Sequence, residues 1–249
     1  MKRLILSALV LAAASQAAGC IIVSDDDPTG DALVSWSLLS ADQNGNPIAA
    51  GCPAGATSAI VYSLRQGAPA GDAFIDKFDC AAGSGRAADL PTGTYLVWVR
   101  LTDTSEAVLH AESGSLITTI ADGATTPVNH SIYVDHAFYQ VGWNLNAGGV
   151  NASCSQVQGE DGVSILATHT GGSYIDTIVD CEAGEGGAQT LTDPLPSTLA
   201  GSQYTVSVAI LDTAQDPIGM APAIPASPDR ALTYGNQFRD LGIVTITLD

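Results

Sequence analysis

The chain repeats itself, and this repeat limits the folds open to it more than any other feature of the sequence. The segment Asp79-Cys80-x-Ala82-Gly83-x-Gly85-x-Ala87-x-x-Leu90 recurs without a gap as Asp180-Cys181-x-Ala183-Gly184-x-Gly186-x-Ala188-x-x-Leu191. Two flanking motifs recur in the same order, Val34-x-Trp36-x-Leu38 as Val141-x-Trp143-x-Leu145 and Tyr95-x-Val97-x-Val99 as Tyr204-x-Val206-x-Val208. Self-similarity of this kind indicates two copies of one structural unit.

The spacing within these motifs predicts strands. The shared residues alternate with period two, which places them on one face of a strand. Clusters of Gly, Pro, Asn and Asp separate the strand-like runs, and no sustained helical periodicity follows residue 20. Apolar residues make up 46% of the chain and charged residues only 14%, which favours a packed body over disorder. We therefore predict an all-β fold of two tandem antiparallel β-sandwiches, residues 33–135 and 139–249.

One motif resembles a known family of sandwiches. Leu90-Pro91-x-Gly93-x-Tyr95-x-Val97 is similar to the closing-strand signature of transthyretin-like and carboxypeptidase-regulatory-like domains, a common module of bacterial surfaces. The resemblance implies an Ig-like sandwich in each repeat. In immunoglobulin domains a strand Trp packs on the disulfide, so Trp36 and Trp143 are expected in the core and not as ligand platforms.

Four of the five cysteines form two pairs with nearly equal spacing, and the fifth stands apart near the N-terminus. Cys52 and Cys80 are 28 residues apart, and Cys154 and Cys181 are 27 apart, one pair in each repeat. Three pairings are possible, but the repeat favours Cys52–Cys80 and Cys154–Cys181, each closing a loop that contributes about 3 to 4 kcal/mol to stability. A zinc site is the rival interpretation, although the pairs lack the short Cys-x-x-Cys spacing.

The remaining cysteine, Cys20, follows an export signal. Lys2 and Arg3 precede an apolar run, residues 4–14, which is too short to span a bilayer stably. Ala17-Ala18-Gly19-Cys20 resembles the lipobox of bacterial lipoproteins, which implies a signal peptide over residues 1–19 and a lipidated Cys20. An ordinary signal peptide with a free thiol is the alternative. Residues 20–32, which include several Asp, are expected to form a flexible tether.

Charge and the lipobox together bear on location and partners. The formal net charge is −18, so nucleic acid is a poor partner. The lipid would hold the protein on a membrane with its body in the periplasm or at the cell surface. Position 21 is Ile, and in enterobacterial lipoproteins an Asp at this position favours the inner membrane. The outer membrane is therefore the expected location.

No catalytic motif or cofactor-binding motif stands out. The chain has no Gly-x-Ser-x-Gly, no His-Glu-x-x-His and no Gly-rich phosphate loop, so an enzyme is not expected. His130 and His136 share the parity of one strand, but six residues of strand separate them by about 20 Å, too far for one metal ion.

Two Asp-rich stretches are weak candidates for calcium. Asp25-x-Asp27-x-Thr29-Gly30 opens like a calcium loop, but Trp36 stands where the bidentate Glu should be. The same residues imitate a phosphatase Asp-x-Asp-x-Thr motif without the α/β pattern that should follow. Asp42-x-Asn44-x-Asn46 has Pro47 in place of Gly, and a turn explains it more simply. No metal site is predicted, and calcium is the least supported partner.

The two copies differ on the strand that contains Tyr95 or Tyr204. Between the shared apolar residues, the first copy has Leu96, Trp98 and Arg100, whereas the second has Thr205, Ser207 and Ala209. A Leu-Trp pair left in water forgoes burial, so we expect a loop or the second repeat to cover it. A partner-binding surface is the alternative.

A second difference is the segment Ala214–Asp229, which contains Pro217, Pro222, Pro225 and Pro228. Four prolines predict an exposed loop and exclude a central strand.

The predicted function is a cell-envelope lipoprotein with a structural or protein-binding role. A carbohydrate- or peptide-binding module is the first alternative, and a calcium-dependent adhesion element is the second.

Overall fold

The structure, a computed structural model, describes residues 28–42 and 45–248, and these form the predicted all-β fold. The first repeat contains β1 (Thr29–Ala41), β2 (Pro47–Ala49), β3 (Ser58–Arg65), β4 (Phe74–Asp79), β5 (Ser84–Pro91), β6 (Gly93–Thr102), β7 (Leu109–Glu112), β8 (Leu116–Ile120) and β9 (Thr125–Tyr133). The second contains β10 (His136–Ala147), β11 (Val150–Ala152), β12 (Glu160–His169), β13 (Tyr174–Val179), β14 (Thr190–Leu191), β15 (Leu195–Pro196), β16 (Tyr204–Asp212), β17 (Pro217–Met220) and β18 (Phe238–Leu248). Cys20 and the predicted signal peptide lie outside the described residues.

The folded body begins earlier than predicted. β1 starts at Thr29, inside the segment 20–32 that was expected to be a tether, and Thr29 pairs with Pro91 of β5. Asp31, whose charge suggested a solvated linker, accepts a hydrogen bond from Arg86 instead. That hydrogen bond is the main reason why the pKa of Asp31 is lowered. The second repeat likewise begins at His136 and not at residue 139.

The first repeat is a sandwich of two sheets. In one sheet, β1 pairs with β2 and β5 along one edge and with β9 along the other. In the second sheet the order is β4-β3-β6, and β7 and β8 both pair with the far edge of β6. The inner faces meet in one cluster, which includes Val34, Trp36, Val97, Val99 and Ile132.

The second repeat has the same strand order, with its two sheets joined. Its strands run β11-β10-β18-β17-β16-β12-β13, and β14 and β15 pair with β10. β17 connects the two halves because it pairs with both β16 and β18. The core cluster again lies between the inner faces and contains Val141, Trp143, Val206, Val208 and Ile246.

The strand pairs are antiparallel, as predicted, except for one parallel pair in each repeat. β9 runs parallel to β1, and β18 runs parallel to β10. Each repeat is thus closed by its last strand lying along its first. The period-two pattern is the same for half-buried strands of either direction, so it did not indicate this pairing.

The prediction for Ala214–Asp229 is also wrong in part, because this segment includes strand β17. Pro217 opens that strand at a register shift opposite Leu211 of β16. The first residue of a strand and a bulge are positions where a missing N–H is tolerated. Further along, Ile224 exchanges two backbone hydrogen bonds with Val206, 2.8 and 2.9 Å long. The prolines themselves face solvent, as expected.

Both expected disulfides are present, and each lies beside the Trp of its repeat. Cys52 bonds to Cys80 and Cys154 to Cys181, with Cα–Cα distances of 6.1 and 5.7 Å. The indole Nε1 of Trp36 donates a hydrogen bond to the Cys80 carbonyl over 2.9 Å. In the second repeat, Trp143 does the same to Cys181 over 2.9 Å. Both Trp side chains are buried, which confirms that they belong to the core.

The shared tyrosines form a second matching pair. The hydroxyl of Tyr95 donates to the Pro91 carbonyl and that of Tyr204 to the Pro196 carbonyl, each over 2.7 Å. Burial raises the pKa of both phenols. The hydroxyl therefore stays protonated and remains a donor, which fixes the start of β6 or β16 against the preceding loop.

His130 is a polar exception in the first core. It lies on β9 opposite Trp36, only 5% exposed, and its Nε2 has no hydrogen-bond partner among the described residues. Burial lowers its pKa to about 4. The matching position in the second repeat, opposite Trp143, holds Val244. An apolar side chain therefore suits this position in the same fold.

We predict that His130 makes the first repeat sensitive to acid. Unfolding returns the ring to its ordinary pKa of 6.5, so below that pH the unfolded chain binds a proton that the folded protein takes up only near pH 4. Between these values the free energy of unfolding should fall by up to about 3 kcal/mol as the pH drops. Urea unfolding across this range should show a smaller loss for His130→Val, and identical losses would contradict the prediction.

Candidate functional surface

The candidate surface is the outer face of the sheet that contains β4, β3, β6 and β8. We call it the aromatic face and define it by six apolar side chains that share this side of the sheet: Tyr62, Leu64, Ile75, Leu96, Trp98 and Ile117. The strand register places them in two adjacent rows, Ile75-Tyr62-Trp98 and Leu64-Leu96-Ile117. Period-two alternation on β6 explains why Leu96 and Trp98 point outward while Val97 and Val99 fill the core.

At the centre of the face, two rings stack on each other. Tyr62 and Trp98 face each other across β3 and β6 with ring centroids 4.9 Å apart and planes within 5°. The guanidinium carbon of Arg100 lies 5.2 Å from the centroid of the Tyr62 ring. Such aromatic and cation–π contacts each contribute about 1 kcal/mol. The rings are therefore held in one arrangement.

Two ion pairs border the apolar rows. Arg100 Nε donates to Glu112 Oε1 over 2.7 Å, and Lys77 Nζ to Glu106 Oε1 over 2.8 Å. Partial burial lowers the pKa of Arg100 and the Glu112 hydrogen bond raises it, with a net increase. Both pairs combine opposite charges. The border of this face thus carries little net charge, although the whole chain carries −18.

Cover by a loop or by the second repeat does not extend over the whole of this face. Trp98 and Leu96 are only partly buried, and the flanking Ile75 and Ile117 are 60% and 67% exposed. The recorded ring contact of Trp98 is with Tyr62 on the neighbouring strand. In the part of the chain that the structure describes, the aromatic face is thus exposed at Ile75 and Ile117 and partly accessible at its centre, whereas Ile60, on the same side of the sheet, is buried.

The second repeat provides an internal comparison. The row that corresponds to Ile75-Tyr62-Trp98 is Asp176-Leu166-Ser207, and the next row begins with Tyr174 and continues with Thr168 and Thr205. This repeat has the same strand order, disulfide and core Trp without an aromatic pair on that face. The fold therefore does not require Tyr62 and Trp98.

The second repeat touches the border of the aromatic face. Gly235 bridges to Ala111 on β7: its N–H donates to the His110 carbonyl over 2.7 Å and its carbonyl accepts from Glu112 N–H over 3.1 Å. Asn236 Nδ2 donates to the Glu112 carbonyl over 2.9 Å. Glu112 is the partner of Arg100, so residues of the second repeat fix one end of that ion pair.

A cleft between the two repeats is a second candidate. It encloses about 500 Å³ between the β1–β2 turn and the loop before β15. Its lining residues include Asp42, His136, Tyr174, Asp176 and Asp193. Its walls carry one exposed aromatic ring and several carboxylates, and no Lys or Arg is among its described lining residues.

The other residues that the sequence singled out do not form a site. Asp42 Oδ1 accepts the Asn46 N–H over 2.9 Å, as expected for a turn, while Asn44 and the Asp25–Asp27 stretch lie outside the described residues. Within residues 28–42 and 45–248, no three His, Cys, Asp or Glu side chains are grouped to hold a metal ion. No helix in those ranges is long and apolar enough to cross a membrane.

Sequence reasoning missed Tyr62, Ile75 and Ile117. Strand β3 reads Ser58-Ala59-Ile60-Val61-Tyr62, apolar on both faces, which is typical of a strand buried on both sides. Its pattern alone did not mark an exposed face. The divergence at Trp98 between the repeats was the usable signal, because Tyr62 lies directly opposite it.

No protein-family model and no curated protein matches the chain. Among solved structures it is similar to the TIE protein of Bacillus anthracis, at 9% identity and TM-score 0.28 over 89% of this chain and 34% of that one. It is also similar to GBS52, the minor pilin of Streptococcus agalactiae, at 10% identity and TM-score 0.26, over 89% of this chain and 97% of that one. The fimbrial anchor protein Mfa2 of Porphyromonas gingivalis is similar at 12% identity and TM-score 0.27, over 78% of this chain and 82% of that one.

The chain spans about a third of the length of the Bacillus anthracis protein. At TM-scores this low, none of the three is evidence of a shared function.

We predict that the two tryptophans of the first repeat, Trp36 and Trp98, contribute unequally to the free energy of unfolding. Trp98→Ser, which installs the residue found at the matching position of the second repeat, should lower the free energy of unfolding by about 1 to 2 kcal/mol, mostly through lost stacking. Trp36→Ser opens the core and removes the bond to Cys80, so about 3 to 5 kcal/mol should be lost. Thermal unfolding followed by circular dichroism checks this, and equal losses would show that Trp98 is structural.

Proposed function

We propose that the chain is an exported bacterial lipoprotein, anchored through Cys20, whose body binds another macromolecule of the cell envelope. Binding, not catalysis, is its proposed activity. The observation that carries the proposal is the partly exposed aromatic face on one of two otherwise matching repeats. The largest apolar patch on a monomeric protein is often functional, and aromatic residues with Arg are enriched at protein interfaces.

Two further features support the anchor and the compartment. The lipobox resemblance of Ala17-Ala18-Gly19-Cys20 accounts for the odd cysteine, because the other four are paired in disulfides. Disulfides persist in oxidising compartments such as the periplasm and the cell surface. We place the protein on the outer membrane, because Ile21 is not the Asp that favours retention in the inner membrane.

The proposed anchor also limits how far the body stands from the membrane. Eight residues separate Cys20 from Thr29, the first residue of β1. Even a fully extended chain of this length spans only about 30 Å. The aromatic face would therefore work close to the membrane surface and not at the end of a long stalk.

A second candidate function is the binding of a carbohydrate or peptide in the cleft between the repeats. The cleft favours it through its volume of about 500 Å³, which suits a small ligand, and through the exposed Tyr174 beside Asp176 and Asp193. Calcium-dependent adhesion has no comparable observation in its favour.

The anchor is tested with Cys20→Ala. The wild-type protein should be in the membrane fraction, and mass spectrometry of its N-terminal peptide should show added acyl chains. The variant should lose the acyl mass and leave the membrane fraction. A variant that stays membrane-bound with an unchanged N-terminal peptide would refute lipidation.

The binding role is tested by affinity capture from cross-linked envelope. Trp98→Ser should lose the captured partner while retaining its fold. Leu166→Ser changes the corresponding face of the second repeat, opposite Ser207, and should capture as well as the wild type. If Trp98→Ser captures the same partner in the same amount, the aromatic face is not the binding surface.

A further inference from the structure

We propose that the occupant of the aromatic face is the aromatic face of a second copy of this chain, packed against it in a two-fold dimer. This inference rests on the proposed function, since it identifies the partner of the same surface.

The arrangement of the rings favours a polypeptide over a sugar. A sugar binds an aromatic platform by lying flat on a free ring face. Here one face of each ring is used, because Tyr62 and Trp98 stack on each other at 4.9 Å, and Arg100 lies near the Tyr62 ring. The apolar surface beside the rings is aliphatic, above all Ile75 and Ile117, and it offers a sugar no further ring face. Such a surface is complementary to another apolar protein surface.

The shape of the face suits a copy of itself. Its six side chains stand in two rows on four neighbouring strands, so the surface is a sheet face and not a groove. Two sheet faces pack with interdigitating side chains at about 10 Å, as in the interior of a sandwich. A two-fold contact needs a surface that complements itself, and a sheet face with short rows meets that condition.

The charges around the aromatic face also favour a second copy as its occupant. Two copies that each carry −18 repel one another over most of their surfaces. The aromatic face differs, because its border combines Lys77 with Glu106 and Arg100 with Glu112. Because each of these cations already pairs with a carboxylate of its own chain, two such borders can meet without strong repulsion. Two copies that approach through this face bring paired charges together and not single carboxylates.

The anchor makes even a weak contact effective. From the spacing of four strands and two rows of side chains, the face covers only about 250 Å² per copy, roughly a third of what a stable interface buries on each partner. In solution the dimer should therefore be weak. Copies held on one membrane by equal tethers present this face at the same height, and confinement raises their effective concentration.

The experiment co-expresses two full-length versions of the chain with different affinity tags, extracts them from membranes in detergent and captures one tag. The wild type should co-capture its partner copy. Trp98→Ser in both versions should reduce co-capture about tenfold, and so should Ile117→Lys, a change at an exposed residue outside the core cluster. Leu166→Ser should leave it unchanged. Raising NaCl from about 20 to about 500 mM should increase co-capture, because salt screens the repulsion between acidic copies.

The outcomes separate this inference from the proposed function. No co-capture of the wild type, or co-capture that both variants retain, overturns the dimer. If envelope capture still shows a different partner that depends on Trp98, the proposed function stands and only the second copy is wrong. Retention on a polysaccharide that depends on Trp98, without co-capture, would make a glycan the occupant and also overturn the dimer.

Discussion

The hydrogen bond from a buried indole to a cysteine carbonyl, made once in each repeat, is the contact on which both sandwiches depend. Trp36 and Trp143 lie on the first strand of their repeats, in one sheet. The carbonyls they reach belong to Cys80 and Cys181, in the short turn where the chain leaves β4 or β13 of the opposite sheet. The disulfide fixes the same turn. One ring and one covalent bond thus connect the two sheets at the same turn.

Features repeated in the sequence were predictable, and features that depend on pairing between distant strands were not. The Cys-x-Ala-Gly motif and period-two alternation gave the fold class, the disulfides and the burial of Trp36 and Trp143. Neither the direction of β9 nor the pairing of β17 is encoded locally, because both depend on which strand lies alongside. The same limit applied to the surface: Trp98 was found by comparing the copies, whereas Tyr62 became visible only through the register of β3 with β6.

With the inner faces constrained, the outer faces of the two repeats could diverge. The second repeat keeps the core but has Asp176 and Ser207 on either side of Leu166, where the first has Ile75 and Trp98 beside Tyr62, and its exposed apolar residues there, Ile178 and Met220, lie in the neighbouring row. The first exposes Trp98 and surrounds it with apolar neighbours. Burial cannot account for that arrangement, because Ile75 and Ile117 gain little from it while they face water. The proposed binding role accounts for a surface that adds little to stability.

The second repeat still contributes to this surface through the junction. Asn236 adopts a left-handed conformation, φ 58°, which Asn tolerates better than most residues. In that conformation its side chain spans the joint: Nδ2 donates to the Glu112 carbonyl and Oδ1 accepts from Tyr133 N–H over 3.4 Å. Glu112 is thereby held on β7, its carboxylate holds Arg100, and the Arg100 guanidinium lies near the ring of Tyr62. A chain of contacts therefore runs from the joint between the repeats to the centre of the aromatic face. The face belongs to the first repeat in sequence, but its order depends on both, so the first repeat expressed alone would present the same side chains without the support that fixes them.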